Sequence, residues 1–167
     1  MSISILLSFF NFMSLTHESI AVVTGAGSGI GRALSLQLAA EKIAGLAIAD
    51  INAEGLEETA KMIAQPGLRV TTHVMNVADL KEMQEFAARV IAEHGRVTHL
   101  INNAGVSLFG NVEEVSIEDF QWLMSINFWG MVYAVKLFLP ALRKEPAAHI
   151  VNVSSVFGLV APPGNAA

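Results

Sequence analysis

The sequence has 167 residues, 53% of them hydrophobic and 15% charged, with a net charge of −5 and no cysteine. That length supports one domain with a sizeable core, and so apolar a composition suits strands buried on both faces. The acidic balance argues against nucleic acid as a partner, and the absence of cysteine excludes a disulfide framework and a thiolate metal site; a cytoplasmic protein is the expectation.

Residues 1–13, MSISILLSFFNFM, form an apolar leader interrupted by serines and Asn11. It is shorter than the roughly 20 residues a spanning helix requires, and it has neither the basic start nor the cleavage site of a signal peptide. The favoured expectation is a dispensable leader with translation starting at Met13; a membrane-associating anchor is the alternative. Residues 14–167 are expected to form the domain.

Ile20–Val23 reads as a buried strand. It runs into Thr24-Gly25-Ala26-Gly27-Ser28-Gly29-Ile30-Gly31 and then into a helical pattern over Arg32–Lys42. Leu46–Asp50 is a second short apolar strand. Asn52 is a cap for a helix carrying Leu56, Ala60 and Ile63 on one face, stopped by Pro66-Gly67. Arg69–Met75 alternates as a third strand, and Asp79 caps a helix through Met83, Phe86, Val90 and Ile91 to Gly95. Val97–Ile101 is a fourth strand; a loop, Val106–Val115, leads to a long apolar helix over about Ile117–Arg143, with Ser116 as its cap. Ala148–Val153 is a fifth strand, ending at Ser154-Ser155 and a Pro/Gly-rich tail. Strands alternating with helices through short turns predict βαβ crossovers and a parallel sheet, whose ligands sit at the carboxyl ends of the strands.

Strand, glycine turn and helix in that order make the Thr24–Gly31 loop a candidate dinucleotide cradle. Glycines let the backbone approach a pyrophosphate closely, and the helix N-terminus offers unpaired N–H groups and a positive dipole end. Asp50 follows Gly31 by nineteen residues, at the end of the second strand, where a carboxylate accepts hydrogen bonds from ribose hydroxyls. The same carboxylate repels a 2′-phosphate: at about 5 Å and an effective dielectric of about 20, one like-charge pair costs on the order of 3 kcal/mol. No basic residue lies between Gly25 and Gly31 to offset this, which favours NAD over NADP. No Gly-Lys-Ser/Thr closes the glycine stretch, so it is not a P-loop, and the five histidines lack ligand spacing, so no metal site is expected.

The Thr24–Gly31 loop, Asn102-Asn103-Ala104-Gly105, Asn127 inside the long helix, and Asn152-Val153-Ser154-Ser155 with Gly158 together resemble the short-chain dehydrogenases/reductases. The resemblance runs from Ile20 to Ala167. It implies a Rossmann-type doubly wound parallel α/β sheet, with about five strands present and the last ones missing. It implies hydride transfer between a nicotinamide cofactor and an alcohol or ketone. Thr24, Gly25, Gly27, Ser28, Gly29, Ile30 and Gly31 would hold the pyrophosphate, Asp50 and Ile51 the adenosine ribose, and Asn76 and Val77 the adenine, many relatives carrying Asp at the first of these. Asn103, Ala104 and Gly105 would lie along the cofactor, the asparagine pair tying central strands together. Asn127 would hold a water in a proton relay or satisfy a backbone kink. Ser155, in preference to Ser154, would orient the substrate oxygen. Full-length relatives are expected to be homodimers or homotetramers.

The family's Tyr-x-x-x-Lys pair does not follow Ser155 among the twelve residues to Ala167. The single tyrosine, Tyr133, precedes the serine and has no lysine four positions on, so it reads as a packing residue. The expectation is a partial domain, without dehydrogenase activity as given; a non-catalytic dinucleotide-binding or interaction module is the alternative. Leu108, Phe109, Phe157, Leu159 and Val160 suggest an apolar substrate wall.

Overall fold

The computed structural model describes residues 15–160 and 163–164. The leader expected over residues 1–13 lies outside the described residues. In chain order the elements are β1 (Ile20–Thr24), α1 (Gly29–Ala40), β2 (Gly45–Asp50), α2 (Ala53–Ile63), β3 (Arg69–Val74), α3 (Leu80–His94), β4 (His99–Asn102), α4 (Ile117–Met124), α5 (Gly130–Leu142) and β5 (His149–Asn152). A π-helical turn, Ser125–Trp129, joins α4 to α5, and a 3-10 turn, Val156–Gly158, follows β5.

All strand pairs are parallel, and the sheet order is β3-β2-β1-β4-β5. Strand side chains alternate between two helical layers. Ala21, Val23, Leu46, Ile48 and Ile101 pack with Leu34 and Leu38 of α1 and Leu56 and Ile63 of α2. Val22, Ala47, Ala49 and Leu100 pack on the other side with Met83, Phe86 and Val90 of α3 and Ala134, Phe138 and Leu142 of α5. Phe86 and Phe138 are fully buried and meet edge-to-face, 5.6 Å apart. Truncating Phe138 to alanine is expected to cost about 3–5 kcal/mol.

Helix ends follow the sequence cues. The Asn52 side chain accepts from Gly55 N, and Asp79 accepts from the N–H groups of Lys81 and Glu82. Helix α3 closes on Gly95 at φ 76°, a left-handed position that suits glycine. Ser116 and Asp119 form a capping box at the start of α4.

The single long helix is present over Ile117–Leu142, with an interruption inside it. Between Met124 and Gly130 the chain widens into a π turn that carries Asn127. A cause is visible on either side of it. Both amide atoms of Asn127 are drawn to the Val106 backbone, and Gly130 lies so close to Val77 that a Cβ there would stand 3.0 Å from a Val77 methyl. By length and composition the span Ile117–Leu142 could cross a membrane; here Ala134, Phe138 and Leu142 are core residues packed on α3. Trp122, Phe128 and Trp129 are exposed, whereas Phe138 is buried. Tyr133 stacks on Trp129 at 5.9 Å and packs against the α3–α5 core, as a packing residue does.

Candidate functional site

Parallel strands bring Thr24, Asp50, Val74, Asn102 and Asn152 to one edge of the sheet. Two adjoining clefts open there. The first, about 400 Å³, is lined by Gly25, Ser28, Gly29, Ile30, Asp50, Ile51, Asn76, Val77, Asn103, Ala104 and Gly105, together with Met75, Val106 and Ile126. The second, about 460 Å³, shares Asn103–Val106 and extends to Leu123, Asn127, Met131, Asn152, Ser154, Ser155 and Phe157. The segment after β4 is thus the common wall of both.

Thr24, Gly27 and Gly31 do not line either cleft; they build the loop from behind. Thr24 is buried, and its hydroxyl oxygen accepts from Asn103 N at 3.1 Å and Ala104 N at 3.2 Å. The Asn103 side-chain amide donates two more, to the carbonyls of Thr24 and Gly25 at 3.1 Å each. Gly25 sits at φ 67°, and a Cβ there would meet Ala104 Cα at 2.7 Å. A Cβ on Gly31 would fall 2.0 Å from the Gly25 carbonyl oxygen. Only glycine permits the first turn of α1 to pass this close to the end of β1.

Helix α1 begins at Gly29, three residues earlier than the periodicity indicates, so the glycine loop and the helix start coincide. Ser28 precedes it in extended conformation, its side chain makes no capping bond, and no acidic residue lies in the first turn. The first N–H groups of a helix have no intrahelical acceptor. Here Ser28, Gly29 and Ile30 sit on the cleft wall, so the helix start faces the cleft with no acidic side chain of its first turn offsetting its dipole.

Asp50 closes the adjacent side. One carboxylate oxygen accepts from Gly27 N at 2.7 Å and the other from Asn52 N at 2.8 Å. The capping role of the second helix falls to Asn52 itself, and Asp50 is oriented by two backbone donors with lone pairs left for further donors. Asn76 accepts from Ala78 N through its amide oxygen at 3.0 Å, and its own N–H donates to Glu82.

In the second cleft, Asn127 accepts from Val106 N and donates to Val106 O, each at 2.9 Å. Its side chain therefore satisfies the strand-to-loop backbone next to the π turn. Asn102 donates to Asn152 across β4 and β5 at 2.8 Å, so these two asparagines tie the strand ends together. The Ser155 oxygen accepts from Phe157 N at 3.2 Å, which leaves the hydroxyl proton available. Ser154 lines the same cleft, so burial alone does not separate the pair. Of the residues read as an apolar wall, Phe157 lines the cleft; Leu108, Phe109, Leu159 and Val160 do not. The cleft's apolar surface comes instead from Leu123 and Met131, whose helical spacing alone gave no reason to assign them here. Arg32, directly after the last glycine, also escaped the sequence reading: its guanidinium folds back onto the loop, donating to the Gly27 carbonyl. Among the described residues no group of three or more His, Cys, Asp or Glu side chains is placed to hold a metal ion.

A parallel sheet in this order, with a glycine-rich first turn and clefts at the strands' carboxyl ends, defines a Rossmann-type α/β protein. The chain belongs to the short chain dehydrogenase family, whose sequence model matches residues 19–167. It is 41% identical over 155 residues to SadH of Mycobacterium tuberculosis, named as an oxidoreductase, covering 93% of this chain and 56% of that protein. It is 32% identical to a CLA biosynthesis dehydrogenase/reductase of Lactiplantibacillus plantarum, covering 88% of this chain and 51% of that protein. Among solved structures, a short chain dehydrogenase/reductase from Burkholderia phymatum in complex with NAD superposes with a TM-score of 0.84 at 36% identity, covering 89% of this chain and 53% of that one. The chain thus spans about half the length of the relatives it matches.

Proposed function

We propose that these residues form the cofactor half of an NAD(P)-dependent oxidoreductase that moves a hydride between a nicotinamide and an alcohol or ketone carbon. One observation carries the reading: the two clefts are continuous along Asn103–Val106, running from the start of α1 and Asp50 at one end to Ser155 at the other. The residues present fit a dinucleotide. The start of α1 would take the pyrophosphate, Asp50 the adenosine ribose, Met75–Val77 the adenine, and Ala104–Val106 the length of the molecule toward the second cleft. When bound, the nicotinamide supplies the hydride acceptor or donor. The chain's own residues supply orientation: Ser155 donates its free hydroxyl proton to the substrate oxygen, and Asn127 fixes the loop after β4 against which the cofactor lies.

The similarity to a Burkholderia structure described as a complex with NAD supports a nicotinamide cofactor. Asp50, with both oxygens already oriented by backbone N–H groups, supports NAD as the preferred form. General acid–base chemistry on an alcohol needs a group whose pKa is brought toward neutrality, a task the family gives to a tyrosine with a nearby lysine. No such pair follows Ser155 in these residues. The chain is therefore expected to bind nucleotide without turnover. The test pairs an assay of NAD-coupled oxidation over a panel of apolar secondary alcohols with NADH and NADPH titrations of wild type and Asp50→Asn. The reading expects no turnover, tighter NADH than NADPH binding, and a narrowed gap in the variant. Robust turnover would overturn the assignment of the chain as a cofactor half.

A further inference from the structure

We propose that Glu58, acting through Arg32, is a positioning residue that sets the preference of this site between NAD(H) and NADP(H); the inference rests on the dinucleotide reading above. The argument starts at Gly27, the residue of the loop nearest Asp50. Its N–H donates to Asp50, and its carbonyl accepts from Arg32 Nη2. A Cβ at Gly27 would lie 2.9 Å from Asp50 Cγ, so carboxylate and loop are in direct contact. A carboxylate and a guanidinium thus hold opposite ends of one loop residue, directly behind the wall of the first cleft that Asp50 lines.

Arg32 does not stand there as a free cation. Its Nε donates to Thr59 at 2.9 Å, and its Nη2 also reaches the Gly55 carbonyl at 3.1 Å and Glu58 at 2.9 Å. Thr59 in turn donates to the Ala26 carbonyl at 2.9 Å, so α2 holds the glycine loop at Ala26 while Arg32 of α1 holds it at Gly27. Glu58 is the anionic partner of Arg32, and its side chain is 53% exposed. So exposed an ion pair adds little to stability. Its consequence is electrostatic: Glu58 cancels the positive charge beside Gly27 and keeps the guanidinium turned onto the loop carbonyls. With Asp50 facing the ribose, a 2′-phosphate then meets one uncompensated negative charge. With Glu58 neutral, the same phosphate meets Asp50 offset by Arg32.

The experiment is a fluorescence titration of the purified chain with NADH and with NADPH, for wild type, Glu58→Gln, Arg32→Gln and the double variant. Glutamine keeps a hydrogen-bond acceptor for Arg32 while removing the charge. The expected result for Glu58→Gln is a roughly three- to tenfold fall in the NADH-over-NADPH affinity ratio, through tighter NADPH binding. The shift should shrink when Arg32 is also replaced, since sites that act through one another are not additive. A purely structural role for Glu58 would weaken both nucleotides together and leave the ratio alone. An unchanged ratio in Glu58→Gln, or an equal shift with and without Arg32, overturns the proposal while leaving the cofactor site standing. Binding of neither nucleotide by folded wild-type chain overturns both.

Discussion

Asn103 donates two hydrogen bonds to Thr24 and a third to its neighbour Gly25. The Thr24 hydroxyl oxygen accepts from Asn103 N, the Thr24 carbonyl accepts from the Asn103 amide, and the same amide reaches on to the Gly25 carbonyl. These bonds fasten the end of β1 to the segment leaving β4, and so hold the glycine loop against the wall shared by the two clefts. Thr24→Val keeps the shape of the side chain but strips the acceptor from two backbone N–H groups, those of Asn103 and Ala104. An unsatisfied buried donor costs about 1–3 kcal/mol, so chemical denaturation should show a loss of that order together with weaker NADH binding. Unaltered stability would show that the lock is not needed.

Gly31→Ala addresses the contact between α1 and β1. The added methyl would overlap the Gly25 carbonyl and also lie 2.5 Å from the Asn103 amide nitrogen. Overpacking of this kind costs roughly 1–3 kcal/mol, and relief requires the loop to move away from the helix start. Nucleotide affinity should therefore fall by more than the thermal midpoint suggests. A variant with wild-type affinity would contradict the close approach.

Asn127 is expected to act through the backbone of the loop after β4. Asn127→Leu removes both bonds to Val106, leaving a donor and an acceptor without partners. Amide hydrogen exchange should report rapid exchange at Val106 in the variant and protection in the wild type, with little change in the sheet. Protection that persists at Val106 would mean that the side chain does not hold this loop.

The pH dependence of stability should come from the β3–α3 side, away from the clefts. Burial pushes the imidazoles of His73 and His94 below their ordinary value of 6.5, with the Glu93 carboxylate opposing the shift in both. Both rings hydrogen-bond the Thr71 hydroxyl at 2.9 Å. Because the folded-state values are lowered, the unfolded chain binds more protons just below 6.5 than the folded chain does. The stability contribution is therefore complete above 6.5 and is lost as pH falls from there through the lowered folded values. Urea midpoints measured across this range should fall on acidification, and His94→Gln should flatten the decline. A midpoint that rises as pH drops would contradict the burial of these rings.

Much of the element order along the chain was legible because it depends on local pattern, and most of the first cleft's lining was legible through the family resemblance. Apolar runs ending in Thr24, Asp50 and Asn102 fix where strands stop, and caps such as Asn52 and Asp79 fix where helices start. What was not legible depends on contacts between distant residues. The π turn at Ser125–Trp129 is invisible to periodicity, since it follows from Asn127 reaching Val106 and from the close approach of Gly130 to Val77. Met131 and Leu123 carry no cue in their helical spacing that assigns them to the second cleft, which only the folded chain places beside them. Arg32 read as an ordinary first-turn residue; only the folded chain shows it returning to Gly27 under the hold of Glu58 and Thr59. Phe138 could not be told from its exposed aromatic neighbours until α5 packed on Phe86.

The central claim is that this chain holds a nicotinamide dinucleotide along the cleft between the glycine loop and Asn103–Val106. Isothermal titration of the folded 167-residue chain with NADH tests it most directly. The account predicts saturable binding of one NADH per chain, displaced by NAD and sharply weakened by Gly31→Ala. A chain shown by circular dichroism to be folded, yet giving no saturable heat with NADH or NADPH, would contradict it.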